Sequence, residues 1–103
     1  MTDIHSTRQL ISQQAKLDCI ENRNTWFLLG TMGCHLCDEA ENMLRLFSSV
    51  SPVVIEKIDI IDFDEAFLAQ YASVIPVIIT KSQQLNYPFS VVDLQRVYQN
   101  ELL

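Results

Sequence analysis

A chain of 103 residues, 49% of them apolar, is sized for one domain with a single modest core and is too apolar for a disordered tail. Its 13 acidic and 7 basic residues give a formal net charge of −6, and the basic ones are scattered singly from Arg8 to Arg96. Nucleic acids and anionic membrane surfaces call for clustered Lys and Arg, so the sequence excludes both as partners.

Residues 1–24 read as an N-terminal extension and residues 25–103 as the folded domain. The polar stretch 1–14 lacks the apolar core of a secretion signal, and no run approaches the ~20 apolar residues of a membrane span. The expected location is therefore the cytoplasm, where thiols stay reduced and disulfides are transient or catalytic. Ser6 and Gln9 fit a capping box and predict a helix over residues 6–21, although its apolar positions (Leu10, Ile11, Leu17, Ile20) are sparse. Cys19 falls there and reads as a small buried hydrophobe, and His5 as uninvolved.

Residues 25–29, a short aromatic and aliphatic run closed by Gly30, read as a buried strand. Over residues 34–47, Leu36, Ala40, Met43, Leu44 and Phe47 form the apolar stripe of an amphipathic helix. Ser48, Ser49 and Ser51-Pro52 are expected to break it. A second strand follows over residues 53–60. Asp62, with Glu65 three residues on, predicts a capped short helix that turns Phe63, Phe67, Leu68 and Tyr71 inward. Residues 74–80 read as an apolar strand containing Pro76, 81–84 as a polar turn, and 85–88 as a short last strand. Ser90 and Asp93 then cap a final helix, with Phe89 and Leu94 as a hydrophobic staple and Leu94, Val97, Tyr98 and Leu102 as its inner stripe. Trp26 and Tyr71 read as packing residues rather than substrate contacts.

The chemistry sits in Cys34-His35-Leu36-Cys37. Two thiols at this spacing on a first helical turn can close on each other, and the partial positive charge of the helix N-terminus favours a thiolate at Cys34. A C-x-x-C beside a βαβ pattern reads as a redox motif. Two other readings stay open: half of a zinc site, or two ordinary buried thiols. No second C-x-x-C follows, and no metal set is expected. Cys34, at the helix mouth, should be the more exposed thiol, and Cys37, on the side of Ala40 and Leu44, partly buried. His35 either steadies a thiolate or stays solvated, while Asp38, Glu39 and Glu41 oppose it with negative charge or serve as helix-dipole partners.

The element order, with C-x-x-C at the first domain helix and a proline opening the third strand, resembles the glutaredoxin branch of the thioredoxin fold. The nearest likeness is to bacterial glutaredoxin-like proteins with Gly-Cys-His-Leu-Cys, here Gly33 to Cys37, followed by Asp38-Glu39-Ala40. Ile58-Asp59-Ile60, Asp64, Tyr71 and Ile75-Pro76-Val77 match as well, and the likeness covers residues 25–102. It implies an α/β fold of three layers, α/β/α, around a four-stranded mixed sheet in the order 2-1-3-4. It also implies Cys34 as nucleophile, Cys37 as resolving thiol and Pro76 as a cis-proline facing them. Ile75 would offer its backbone to an extended substrate, with His35 and Leu36 beside it. The implied activity is thiol–disulfide exchange on protein or peptide disulfides, with no metal or organic cofactor. Two departures make glutathione a doubtful partner. Gly30-Thr31-Met32-Gly33 lacks the lysine that glutaredoxins carry before the first cysteine, and Asn86-Tyr87-Pro88-Phe89 stands where they have Gly-Gly. Gly33 likewise replaces the tryptophan of thioredoxins. An apolar surface of Leu36, Ile75 and Phe89 is expected to suit an extended peptide instead. The competing readings are a redox-inactive binding module and an iron–sulfur or zinc thiol site.

Overall fold

The computed structural model describes residues 4–15 and 25–102. Four helices and four strands follow the chain as α1 (Ile4–Ala15), β1 (Thr25–Gly30), α2 (His35–Val50), β2 (Val54–Asp59), α3 (Glu65–Tyr71), β3 (Val77–Ile79), β4 (Gln84–Asn86) and α4 (Val91–Leu102). The strands form one mixed sheet in the order β2-β1-β3-β4. β1 runs parallel to β2 and antiparallel to β3, and β3 pairs antiparallel with β4. Side chains alternate across β1 as a strand requires. Phe27 and Leu29 join Ile11 of α1 and Phe67 and Tyr71 of α3 in one core. Trp26 and Leu28 join Ala40, Leu44 and Phe47 of α2 and Leu94 and Val97 of α4 in the other. Helices thus cover both faces, which is the three-layer arrangement with strand order 2-1-3-4 implied by the resemblance.

Local hydrogen bonding moves several expected boundaries. α2 does not break at Ser48 and Ser49, because their hydroxyls donate back to the Arg45 and Leu46 carbonyls at 3.1 and 2.6 Å. It ends at Val50, with Ser51 as its C-cap just before Pro52. α3 is capped by Asp64 rather than Asp62: Asp64 Oδ1 accepts from the Phe67 amide at 3.0 Å. Asp62 closes a 3-10 turn (Ile60–Asp62), whose first free amide, at Ile61, donates to Asp59 Oδ1 at 3.1 Å. The third strand is shorter than expected. The Val74 and Ile75 amides donate to the Tyr71 carbonyl, and Thr80 turns the chain by donating its amide to the Gln83 carbonyl at 2.9 Å. The last strand lies over Gln84–Asn86 rather than 85–88. The Ile75–Pro76 and Tyr87–Pro88 peptide bonds are cis.

At α4 the expected cap forms in full. The Asp93 amide donates to Ser90 Oγ at 3.1 Å, the Ser90 amide donates to Asp93 Oδ2 at 2.9 Å, and Phe89 and Leu94 are buried in one core. Near the other end of α4, Glu101 accepts from Trp26 Nε1 and from the hydroxyls of Thr80 and Ser82, tying the helix to β1 and the β3–β4 turn.

α1 starts before Ser6, so that residue lies within the helix instead of capping it. Its residues Thr7, Arg8 and Ile11 are buried, and Thr7 hydrogen-bonds Tyr71 of α3. Ile11 enters the core, and the Arg8 guanidinium donates to the Thr25 and Thr80 carbonyls at 3.0 and 3.1 Å while lying 4.9 Å from the Phe27 ring centre. Cys19, Leu17, Ile20 and the expected helix beyond residue 15 lie outside the described residues. No described helix is long and apolar enough to cross a membrane.

Candidate functional site

β1 ends at Gly30, and the chain turns through Thr31-Met32-Gly33 into α2. Gly33 sits at φ 78°, the left-handed region that favours glycine, with open space around it. Gly30 is glycine for a different reason. A Cβ there would lie 3.1 Å from Cys37 Sγ and 3.2 Å from Cys37 Cβ, so the missing side chain leaves room for the sulfur. Cys34 is the N-cap of α2, with extended backbone, and its Sγ accepts from the Cys37 amide at 3.1 Å. Cys34 and Cys37 are joined as a disulfide with their Cα atoms 5.2 Å apart, within the roughly 4.4–6.8 Å that such bridges span. Cys34 is half-buried, whereas Cys37 is 7% exposed. The amide bond and the helix terminus both favour negative charge on Cys34 Sγ.

The nearby acids do not act together against that charge. Glu41 is held below the usual carboxylate range chiefly by its hydrogen bond from Lys57, with Arg45 adding to the effect. The two cations lie 3.0 and 2.8 Å from its oxygens. Glu39 accepts from the Tyr87 hydroxyl at 3.0 Å, and this bond, with lesser contributions from burial and the carboxylate charge, pushes the phenol above its ordinary value. His35 is 87% exposed, with Nε2 3.8 Å from Glu39 Oε1. Asp38 stays in the first turn of α2, where the helix dipole favours it.

Phe27, Leu28 and Leu29 pair with Ile79, Ile78 and Val77. Pro76 immediately precedes β3, next to Val77, the partner of Leu29 near the end of β1. Ile75 is half-buried against the α1–α3 core, and Leu36 is exposed. The expected surface of Leu36, Ile75 and Phe89 does not form, because Phe89 is 6% exposed and belongs to the α2–α4 core. Met32, at 90% exposure, is the largest apolar surface on the loop. Trp26 and Tyr71 are fully buried packing residues. Among the described residues, no group of three or more His, Cys, Asp or Glu is placed to hold a metal.

Sequence reasoning missed three participants. Gly30 was legible only as a strand terminator, since nothing local encodes a sulfur above it. The i, i+4 spacing of Glu41 and Arg45 was available as a signal, but the approach of Lys57 from β2 depends on the β1–β2 register. Tyr87 was visible as bulk, and its bond to Glu39 spans 48 residues of sequence.

A family model described as "Glutaredoxin-like domain (DUF836)" matches residues 25–100. Among solved structures, a structural genomics target protein, XcR50 from X. campestris, is similar at 25% identity with a TM-score of 0.60, over 73% of this chain and 96% of its own. No curated protein gives a match.

Proposed function

The chain belongs to the glutaredoxin-like domain family, and on that premise we propose that it is a thiol–disulfide oxidoreductase whose working dithiol is Cys34 and Cys37. The Cys34 thiolate attacks one sulfur of a substrate disulfide. The substrate S–S bond breaks, one thiolate leaves and takes up a proton, and a mixed disulfide remains on Cys34. Cys37 then gives its proton to solvent and attacks Cys34 Sγ. The second substrate sulfur leaves as a thiol, and Cys34–Cys37 is oxidised. Two electrons pass from the dithiol to the substrate. The observation that carries this reading is the asymmetry of the pair: a half-buried Cys34 whose sulfur accepts the Cys37 amide, beside a buried Cys37.

The substrate is a protein or peptide disulfide. In support, residues 30–33 offer no cation for a glycine carboxylate, and Tyr87 fills space near the last strand while tied to Glu39. An extended substrate would run past Pro76 with His35 and Leu36 on its other flank. The Ile75 amide already donates to the Tyr71 carbonyl, so pairing with that strand would use the Ile75 carbonyl. Such a dithiol would work in the cytoplasm, where the thiol pool keeps it reduced.

Stopped assays of the reduced protein with insulin and with oxidised glutathione test this, and turnover should be clearly faster with insulin. Cys34→Ser should abolish it, and Cys37→Ser should accumulate a mixed disulfide on Cys34. Efficient reduction of a glutathione mixed disulfide with little insulin turnover would overturn the substrate class. A Cys34→Ser protein that remains active would overturn the nucleophile.

A further inference from the structure

Beside the dithiol, on the side away from Pro76, a groove of about 400 Å³ runs between the 30–33 loop, the first turns of α2 and the edge strand β2, with Cys37 in its wall. Its charged lining is Asp38, Glu41, Asp59 and Lys57. Lys57 lies 3.0 Å from Glu41, which offsets its charge, although Glu41 also pairs at 2.8 Å with Arg45, a residue outside the groove lining. Asp38 and Asp59 are in no ion pair among the described residues. Asp59 accepts a backbone amide from Ile61, which orients the carboxylate and leaves its charge in place. Met32, almost wholly exposed, adds an unbranched apolar wall to the same groove.

We propose that this groove receives a lysine or arginine side chain flanking the reacting cysteine of the substrate, with its apolar stem along Met32 and its charged head toward Asp38 and Asp59. This rests on the oxidoreductase reading above and narrows its substrate class to disulfides in basic peptide segments. A long cationic side chain has the matching two-part character, an aliphatic stem ending in a charge. The net charge of −6 draws such a segment in at longer range. An acidic flank, or glutathione disulfide with its net negative charge, meets like charge at the same place.

The test uses the full reduced chain and two peptide disulfides of equal length, with either Lys or Glu on both sides of the cysteine. The readout is the ratio of their exchange rates. At low salt the Lys peptide should react about tenfold faster, in line with two close charge contacts near the surface. The ratio should shrink as salt is raised. Asp38→Asn/Asp59→Asn should bring it close to one, because the amide side chain at position 59 can still accept the backbone hydrogen bond but carries no charge. Glu65→Gln, at the start of α3 on the opposite face of the sheet, should leave it unchanged. Comparing two substrates on one protein cancels any change in intrinsic Cys34 reactivity caused by removing charge near the α2 terminus. If the double variant fails to fold, Asp38→Asn alone, at an exposed helix position, should lower the ratio by a smaller factor. A wild-type ratio near one, or one that survives Asp38→Asn/Asp59→Asn, overturns the basic-flank proposal while leaving exchange intact. Exchange with neither peptide removes the oxidoreductase reading, and this proposal with it.

Discussion

Two glycines of the active loop show how one residue type serves two physical ends. Gly33 answers a backbone demand, since φ 78° costs a non-glycine residue about 1–2 kcal/mol even where the space is open. Gly30 answers a packing demand, because a methyl group would press on the Cys37 sulfur at 3.1 Å. The two alanine variants should therefore differ. Gly33→Ala should lower stability about equally in the oxidised and reduced protein. Gly30→Ala should penalise the oxidised form more, by roughly 1–3 kcal/mol as overpacking usually does, because a free Cys37 thiol can rotate away and a bridged one cannot. Chemical denaturation of both redox forms of each variant measures this. Equal penalties in Gly30→Ala would show that Cys37 has room to yield in either state.

At the scale of elements, the periodic signals and their caps located every helix and strand of the domain, and errors gathered where two local patterns competed. Asp62 and Asp64 each precede a helical run, and both fit a first-turn acid. The chain uses Asp64, since residues 60–62 close their own 3-10 turn under Asp59. Asp64→Ala should cost about 1 kcal/mol through the lost Phe67 amide bond, whereas Asp62→Ala should be close to neutral; thermal unfolding of the two distinguishes them. The Ser90–Asp93 cap was readable because no rival pattern overlaps it. α2 outran its expected end because serine hydroxyls can bond back to the helix as readily as cap a turn. α1 was legible as a helix but its docking was not. That depends on Arg8, an isolated charge in the sequence, reaching the carbonyls at the ends of two strands that lie 17 and 72 residues away.

Across the whole molecule, the cysteine spacing located the dithiol, and the sheet order β2-β1-β3-β4 is the one the family resemblance implied. The charge network around the dithiol was hidden because it crosses elements: Lys57 of β2 to Glu41 of α2, and Tyr87 after β4 to Glu39 of α2. Those links, with the Ser90–Asp93 cap and the burial of Tyr71, shape the dependence of stability on pH. Glu41 is lowered in the folded state mainly by Lys57, and Asp93 by the Ser90 amide and hydroxyl. For a carboxylate lowered on folding, the stabilisation is present above its unfolded value and lost as pH falls through its folded value. Tyr71 is raised by burial, and Tyr87 chiefly by its bond to Glu39. For a phenol raised on folding, the stabilisation is complete below the unfolded value and lost as pH rises through the folded one. In the disulfide form, stability should therefore be flat between the carboxylate and phenol ranges and fall on both sides. Glu41→Gln removes one lowered carboxylate and keeps an acceptor oxygen for only one of Lys57 and Arg45, which bond to different oxygens of Glu41. It should lower stability on the neutral plateau and flatten the acid limb while leaving the alkaline limb unchanged. Tyr87→Phe should do the reverse, relaxing the alkaline limb alone. Urea denaturation across the pH range measures both limbs, and an acid limb equally steep with and without Glu41 would show that the Lys57–Glu41–Arg45 cluster contributes nothing to the stability of the fold.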